Sequence, residues 1–412
     1  MSKKYDILII GGGPAGSTSA TILAKKGHSV ALFEKEKFPR PHVGESLLPF
    51  CYPIFEELGV LREMKKRFVR KPGANFSSFN GKEQTTYCFN KVVPGEAYLS
   101  FHVRRAEFDK MLLDNSKNNG VDVFEETRVK KVDLKGGVSL QVKNKMGESE
   151  DFSAKYLIDC SGRDTFIANK IKSRKPIEDL DRIAFHSHWN INKMPDELKY
   201  GILRIVYLEG EDKKGWIWCI PNDKDRISIG VVVNNAYATK QRINLTKNGS
   251  DDWQRDLYLN ELNSAEGIKK IISNSKRATE IWVNGNYSYK SDVKFGENFF
   301  LVGDSGAFID PIFASGVFIA IKSAHLVAHA LDKKIKNNDE LPIKEAYDRI
   351  LEAYACVGTF IDIYYNPDKL NLAEMGTGDS NQKYTGFKTA YTMVHYLLSG
   401  DFFENGGISQ NF

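Results

Sequence analysis

The sequence predicts an α/β fold built from three parts. These are a discontinuous Rossmann-like nucleotide-binding domain, an antiparallel β-sheet substrate domain and a small C-terminal helical region. Three observations carry the prediction. The chain opens on an apolar run that meets a glycine-rich turn, two distant apolar runs end in Asp-Cys-Ser-Gly and Gly-Asp, and stretches of period-two hydrophobicity lie between them.

The run ILII at 7–10 reads as a strand buried on both faces. GGGPAG follows at 11–16, then a helical stretch to about Lys26, then a second strand, HSVALFE, ending on Glu34. Gly11, Gly13 and Gly16 form GxGxxG with an acid 18 residues later. Gly11 permits the tight turn, Gly13 lets the backbone approach a pyrophosphate, and Gly16 lets helix and strand pack closely. Glu34 can accept hydrogen bonds from ribose hydroxyls. The strands in YLIDCSG (156–162) and FFLVGDSGAFIDP (299–311) bring their ends back to the same nucleotide site. On these grounds residues 1–70, 100–175 and 285–335 form the nucleotide domain.

RIAFHSHWN (182–190), ILRIVYL (202–208), GWIWCIP (215–221) and RISIGVVV (226–233) alternate as strands do, which assigns 71–99 and 176–284 to the antiparallel sheet domain. Within it, the polar 237–277 stretch is expected to be surface helix and loop. From Pro342 an amphipathic helix begins, and 336–412 is expected to be a C-terminal helical region. Trp216 and Trp218 share a strand face and are expected to form one flat aromatic wall, with Cys219 pointing away and Pro221 ending the strand.

Composition excludes several classes. The 412 residues carry a net charge of only +5, with the basic residues spread out, so no nucleic-acid partner is expected. The five cysteines are far apart and form no CxxC, which fits reduced thiols in a cytoplasmic protein. The apolar run after MSKKYD is too short for a secretory segment, and no run is long enough to span a membrane. His325 and His329 sit four apart on a helix; two ligands are too few for zinc, so both read as helix-face histidines and no metal is expected.

The motifs together resemble the FAD-binding oxidoreductases of the para-hydroxybenzoate hydroxylase type, and within them the flavin-dependent halogenases. The Gly-Asp motif resembles the family's ribityl contact at Asp304, and VRRAEFDKMLLD (103–114) resembles the helix whose arginine, here Arg105, contacts FAD. PRPHVGESLLP (39–49) is similar to the flavin-contacting segment and implies contacts from Glu45 and Ser46. WIWCIP matches the halogenase mark WxWxIP. DPIFASGVFIA (310–320) is similar to DPxFSSGVxxA, which places Pro311 and Gly316 beside the flavin and offers the N–H groups of Ser315 and Gly316 to a halide. RKPGANFSSFNG (70–81) resembles the stretch carrying the active-site lysine, here Lys71, whose pKa desolvation is expected to lower and the neighbouring Arg70 to lower further.

The resemblance implies a chemistry. Reduced FAD, O2 and chloride or bromide yield hypohalous acid, Trp216 and Trp218 disfavour direct oxygen transfer to substrate, and Lys71 passes the halogen to an electron-rich aromatic. The chain holds no second GxGxxG, so a separate flavin reductase is expected to supply the reduced FAD. Ala314 stands where the family has serine, and Phe-Ala-Ser-Gly replaces the Glu-Ser-Thr-Gly of the tryptophan halogenases, so the base expected for indole is missing. That implies a phenol or pyrrole substrate, free or tethered to an acyl or peptidyl carrier protein. An FAD monooxygenase, a geranylgeranyl-reductase-like enzyme and a non-catalytic flavin-binding protein stay open as alternatives.

Overall fold

A computed structural model describes residues 3–366 except 197, 211 and 274, together with 371–375 and 387–403. Its first sheet is built on Lys3–Ile10, which pairs in parallel with Val30–Phe33 on one side and with Ser149–Asp159 on the other. Asp122–Phe124 extends the parallel sheet beyond Val30–Phe33, and Phe299–Leu301 pairs with the C-terminal half of Ser149–Asp159. The N-terminal half of that long strand instead carries the antiparallel hairpin Arg128–Asp133 and Val138–Lys143.

The ILII run is apolar throughout because both of its faces are covered. Ile7 and Ile9 pack into the main core beneath the helices Pro14–Lys25 and Ser315–Asn337, whereas Leu8 and Ile10 pack with Phe33, Leu140 and Phe152 under the hairpin. The helix Arg105–Asn118 lies beside Pro14–Lys25.

The second sheet has eight strands, with Arg182–Ile191, Arg226–Asn234, Trp216–Pro221, Leu203–Tyr207, Gly73–Ser77 and Gln84–Cys88 in spatial order. Every pair is antiparallel except one: Leu203–Tyr207 runs parallel to Gly73–Ser77. The chain between those two strands passes through the first sheet, and so long a crossover permits the parallel pairing.

The polar 237–277 stretch forms surface helices in line with its expected role, but it also covers the second sheet. Asn235–Lys247, Trp253–Ser264 and Glu266–Ile272 are helices, and Leu257, Tyr258, Leu262, Ile268 and Ile271 close the outer face of the second sheet. Most of its polar residues occupy the opposite, solvated faces, with the buried Glu261 paired to Lys213 and Tyr237, so average composition hides the apolar stripe. The amphipathic segment forms the helix Leu341–Tyr364, packed along Ser315–Asn337, and Phe387–Ser399 adds a further helix. No described helix is long and apolar enough to cross a membrane.

Candidate functional site

The C-terminal ends of Lys3–Ile10, Ser149–Asp159 and Phe299–Leu301 open onto a cavity of about 430 Å³, where an open α/β sheet places its ligands. Gly11, Gly13, Glu34, Glu45, Ser46, Arg105, Asp304, Pro311 and Gly316 line it, and Trp216 and Trp218 reach it from the second sheet. Three of the singled-out residues, Gly16, Lys71 and Ser315, do not line it.

The glycines divide by what a side chain would meet. Gly11 has φ +97°, and a Cβ there would lie 2.2 Å from the Cys160 carbonyl oxygen. A Cβ on Gly16 would lie 1.9 Å from the Gly11 oxygen. These two positions are closed by protein. Gly13 is different, because a Cβ there meets nothing nearer than an Arg40 nitrogen at 3.8 Å and projects into open space. That opening is what a pyrophosphate at the helix start requires.

Glu34 is buried, and both its oxygens already have donors: the Gly12 N–H at 2.7 Å and the Glu36 N–H at 2.9 Å. It therefore braces the glycine loop while facing the cavity. Burial raises its pKa above the ordinary carboxylate value despite those donors. Arg105 forks onto Asp109, at 2.8 and 2.9 Å, and its third nitrogen donates to the Val43 carbonyl of the 39–49 segment. Asp304 is half-buried at the cavity; desolvation lifts its pKa to about 6, with Arg105 and Arg163 opposing. Glu45 accepts from His188 Nε2 at 2.8 Å and from Asn222 at 3.0 Å. Burial pushes its pKa up, but His188 and Ser228 outweigh burial and hold it below the ordinary value. Ser46 Oγ is buried with no partner in the protein. A close-approach glycine loop, carboxylates at two ends, a buried arginine and an orphaned hydroxyl fit a flavin dinucleotide.

The tryptophans form a wall, but not a flat one. Their ring centroids lie 5.8 Å apart with planes tilted by 47°. Each indole is fixed by a different neighbour. Trp216 Nε1 donates to the Tyr365 hydroxyl at 3.0 Å, whereas Trp218 Nε1 donates to Ser228 at 3.2 Å and its ring lies over Gly230. Cys219 faces the opposite side of the sheet, in the outer core. Tyr365 in turn donates to Asp310 at 3.0 Å, and burial raises the Asp310 pKa to about 6. Glu45 and Asp310 belong to stretches already singled out, but their partners His188, Asn222 and Tyr365 come from separate segments and meet them only in the fold, so neither cluster is legible in sequence.

Ala314 has φ +54° and precedes the helix Ser315–Asn337. Ser315 is buried at that N-terminus, while Gly316 meets the cavity.

Lys71 is 1% exposed, which rules out a solvated surface lysine. It ends the short strand Val69–Lys71, paired with Ser100–His102. Nζ donates to the Leu47 carbonyl at 3.1 Å and lies 5.1 Å from the Phe89 ring centroid. Burial lowers its pKa from 10.5 to about 7. Arg70 plays no part in this, contrary to the expectation from its adjacency. Neighbours on a strand face opposite ways, and Arg70 turns to Glu96 at 3.0 Å and the Leu99 carbonyl. Lys71 stands behind the segment whose other side, at Glu45 and Ser46, lines the cavity.

Residues 4–355 match the FAD binding domain family, which defines the class of protein. A 1H-pyrrole-2-carbonyl-(peptidyl-carrier protein) chlorinase of Pseudomonas fluorescens is 32% identical to the chain, over 81% of it and 77% of that protein. A tryptophan 2-halogenase of Chondromyces crocatus is 34% identical over 84% of the chain and 65% of that protein, so the chain spans just under two thirds of this second relative. Among solved structures, the myxobacterial chondrochloren halogenase CndH superposes with a TM-score of 0.80 at 28% identity, covering 96% of this chain and 97% of that one. The chain belongs to the flavin-dependent halogenases of the FAD-binding oxidoreductases.

Proposed function

We propose that this protein oxidises chloride or bromide to hypohalous acid and transfers the halogen, through Lys71, to an electron-rich phenol or pyrrole, free or carrier-bound. The observation that carries the proposal is Lys71 itself. It is a fully buried amine with a pKa near 7, set one segment away from the flavin cavity. Reduced FAD, supplied by a separate reductase, would provide two electrons and two protons, with which O2, halide and one further proton become hypohalous acid and water. The protein's own part is placement. Trp216, Trp218 and Ile220 roof the cavity with apolar surface and exclude water and substrate from it. The N–H groups of Ser315 and Gly316, at the start of a long helix, suit a halide. Near neutral pH the Lys71 amine is present in both forms. The ammonium can hold hypohalous acid by hydrogen bond, and the free amine can take the halogen as a haloamine, releasing water.

The substrate class rests on two features. Phe313-Ala314-Ser315-Gly316 offers no carboxylate to serve as a base for indole, and one relative is named for a pyrrolyl group on a peptidyl carrier protein. The test supplies a flavin reductase, NADH, FAD and bromide with phenol and pyrrole panels. Lys71→Ala should retain FAD affinity and peroxide formation, while halogenated product falls to background, because a missing positioned donor costs orders of magnitude in rate. Wild-type halogenation by Lys71→Ala would overturn the assignment.

A further inference from the structure

His325 and His329 lie one turn apart on the outer face of the helix Ser315–Asn337, with ring centroids 4.5 Å apart. Spacing of four on a helix puts both imidazoles on one side. Sequence reading finds no third ligand nearby. The fold supplies one from 268 residues upstream: Glu57, on the helix Tyr52–Leu58, places Oε2 2.8 Å from His325 Nε2 and Oε1 2.8 Å from His329 Nε2.

We infer that Glu57, His325 and His329 form a binding site for a divalent transition-metal ion of the Zn2+ class, one that ties the helix Tyr52–Leu58 to the helix Ser315–Asn337. The three ligand atoms lie within 4.8 Å of one another, so one ion at about 2.0–2.2 Å from each demands only small side-chain shifts. Two imidazoles and a carboxylate are a donor set zinc accepts, with water completing four-coordination. All three side chains are 22–38% exposed, which leaves a solvent side for that water and for entry of the ion.

Hydrogen-bond tautomers do not oppose binding. In the metal-free arrangement each Nε2–H donates to Glu57. His325 Nδ1 is buried and has no partner, so moving the ring proton to Nδ1 breaks no hydrogen bond except the one the metal replaces. A carboxylate that bridges two imidazoles already holds all three groups convergent, and little side-chain freedom remains to be lost on binding. The consequence reaches inward. Tyr52–Leu58 follows directly on the 39–49 segment, and Ser315–Asn337 begins at the cavity. The ion would fasten together the outer supports of two cavity walls.

The experiment uses the full chain stripped with a chelator and titrated with ZnCl2 against a chromophoric metal indicator, followed by Co2+ substitution and visible spectroscopy. One ion per chain is expected, with a Co2+ spectrum of four- or five-coordinate geometry and a melting temperature that rises with Zn2+. Glu57→Gln and His329→Gln should each weaken Zn2+ binding by at least about tenfold, the lower end of what losing even an outer-shell partner costs. His28→Gln, at a histidine paired instead with Asp332, should bind as the wild type does. Far-ultraviolet circular dichroism confirms that each variant is folded, and His325→Gln replaces any that is not. Substoichiometric Zn2+ uptake, or equal affinity in the wild type and the ligand variants, overturns the site.

Discussion

Replacing Lys71 by methionine should make the fold more stable at neutral pH. The amine is fully buried, with the Leu47 carbonyl as its hydrogen-bond acceptor. Its pKa falls from 10.5 to about 7, chiefly through burial. At about 1.4 kcal/mol per pH unit, burying the charged form costs about 5 kcal/mol. Methionine fills a similar volume without charge, but it leaves the Leu47 carbonyl without its donor, a loss of about 1–3 kcal/mol. The net gain near pH 7 is therefore about 2–4 kcal/mol. Its pH dependence has a definite sign. The folded pKa lies below the unfolded one, so the penalty is absent above about pH 10.5, grows as pH falls, and is complete below pH 7. Urea denaturation of the flavin-free wild type and Lys71→Met from pH 7 to 10 reads this directly. The gap should shrink by about 1.4 kcal/mol for each pH unit, close between about pH 8.4 and 9.9, and reverse sign above that, where only the lost hydrogen bond remains. A variant less stable than wild type at pH 7, or a gap that does not change with pH, would refute the reasoning.

Two further outcomes test the cavity. Gly13→Val should abolish FAD retention while leaving the flavin-free unfolding free energy within about 0.5 kcal/mol of wild type, since the new side chain enters open cavity. Ordinary flavin content in the purified variant would remove this loop from the binding site. Gly230→Ala puts a Cβ 2.2 Å from the Trp218 ring and should cost about 2–4 kcal/mol, from overpacking and loss of the Trp218–Ser228 hydrogen bond. An unchanged urea midpoint would show that the indole moves aside freely.

Much of the scaffold is legible in residues 7–34, because its constraints are local. A strand buried on both faces must be apolar at every position, and a turn where a Cβ would lie 2.2 Å from another carbonyl oxygen must use glycine. The alternation in GWIWCIP is equally local, and it separates Trp216 and Trp218 from Cys219 before any coordinates are known. The angle between the two indoles is not local. It follows from Tyr365, just past the end of a helix and 149 residues away, and from the space above Gly230, a residue on the neighbouring strand. The Lys71 pKa belongs to the same kind. Adjacent Arg70 looked like a contributor beside desolvation, yet the pleat turns Arg70 outward, and burial alone lowers the pKa, among neighbours such as Leu47 and Phe89 that come from separate segments. The third ligand beside His325 and His329 likewise exists only after Tyr52–Leu58 docks on Ser315–Asn337. Sequence by itself determines what each segment must be, since period and steric limits act between neighbours in the chain. Tertiary structure alone decides what surrounds a given atom, because desolvation, ring tilt and ligand convergence depend on groups that meet only in space.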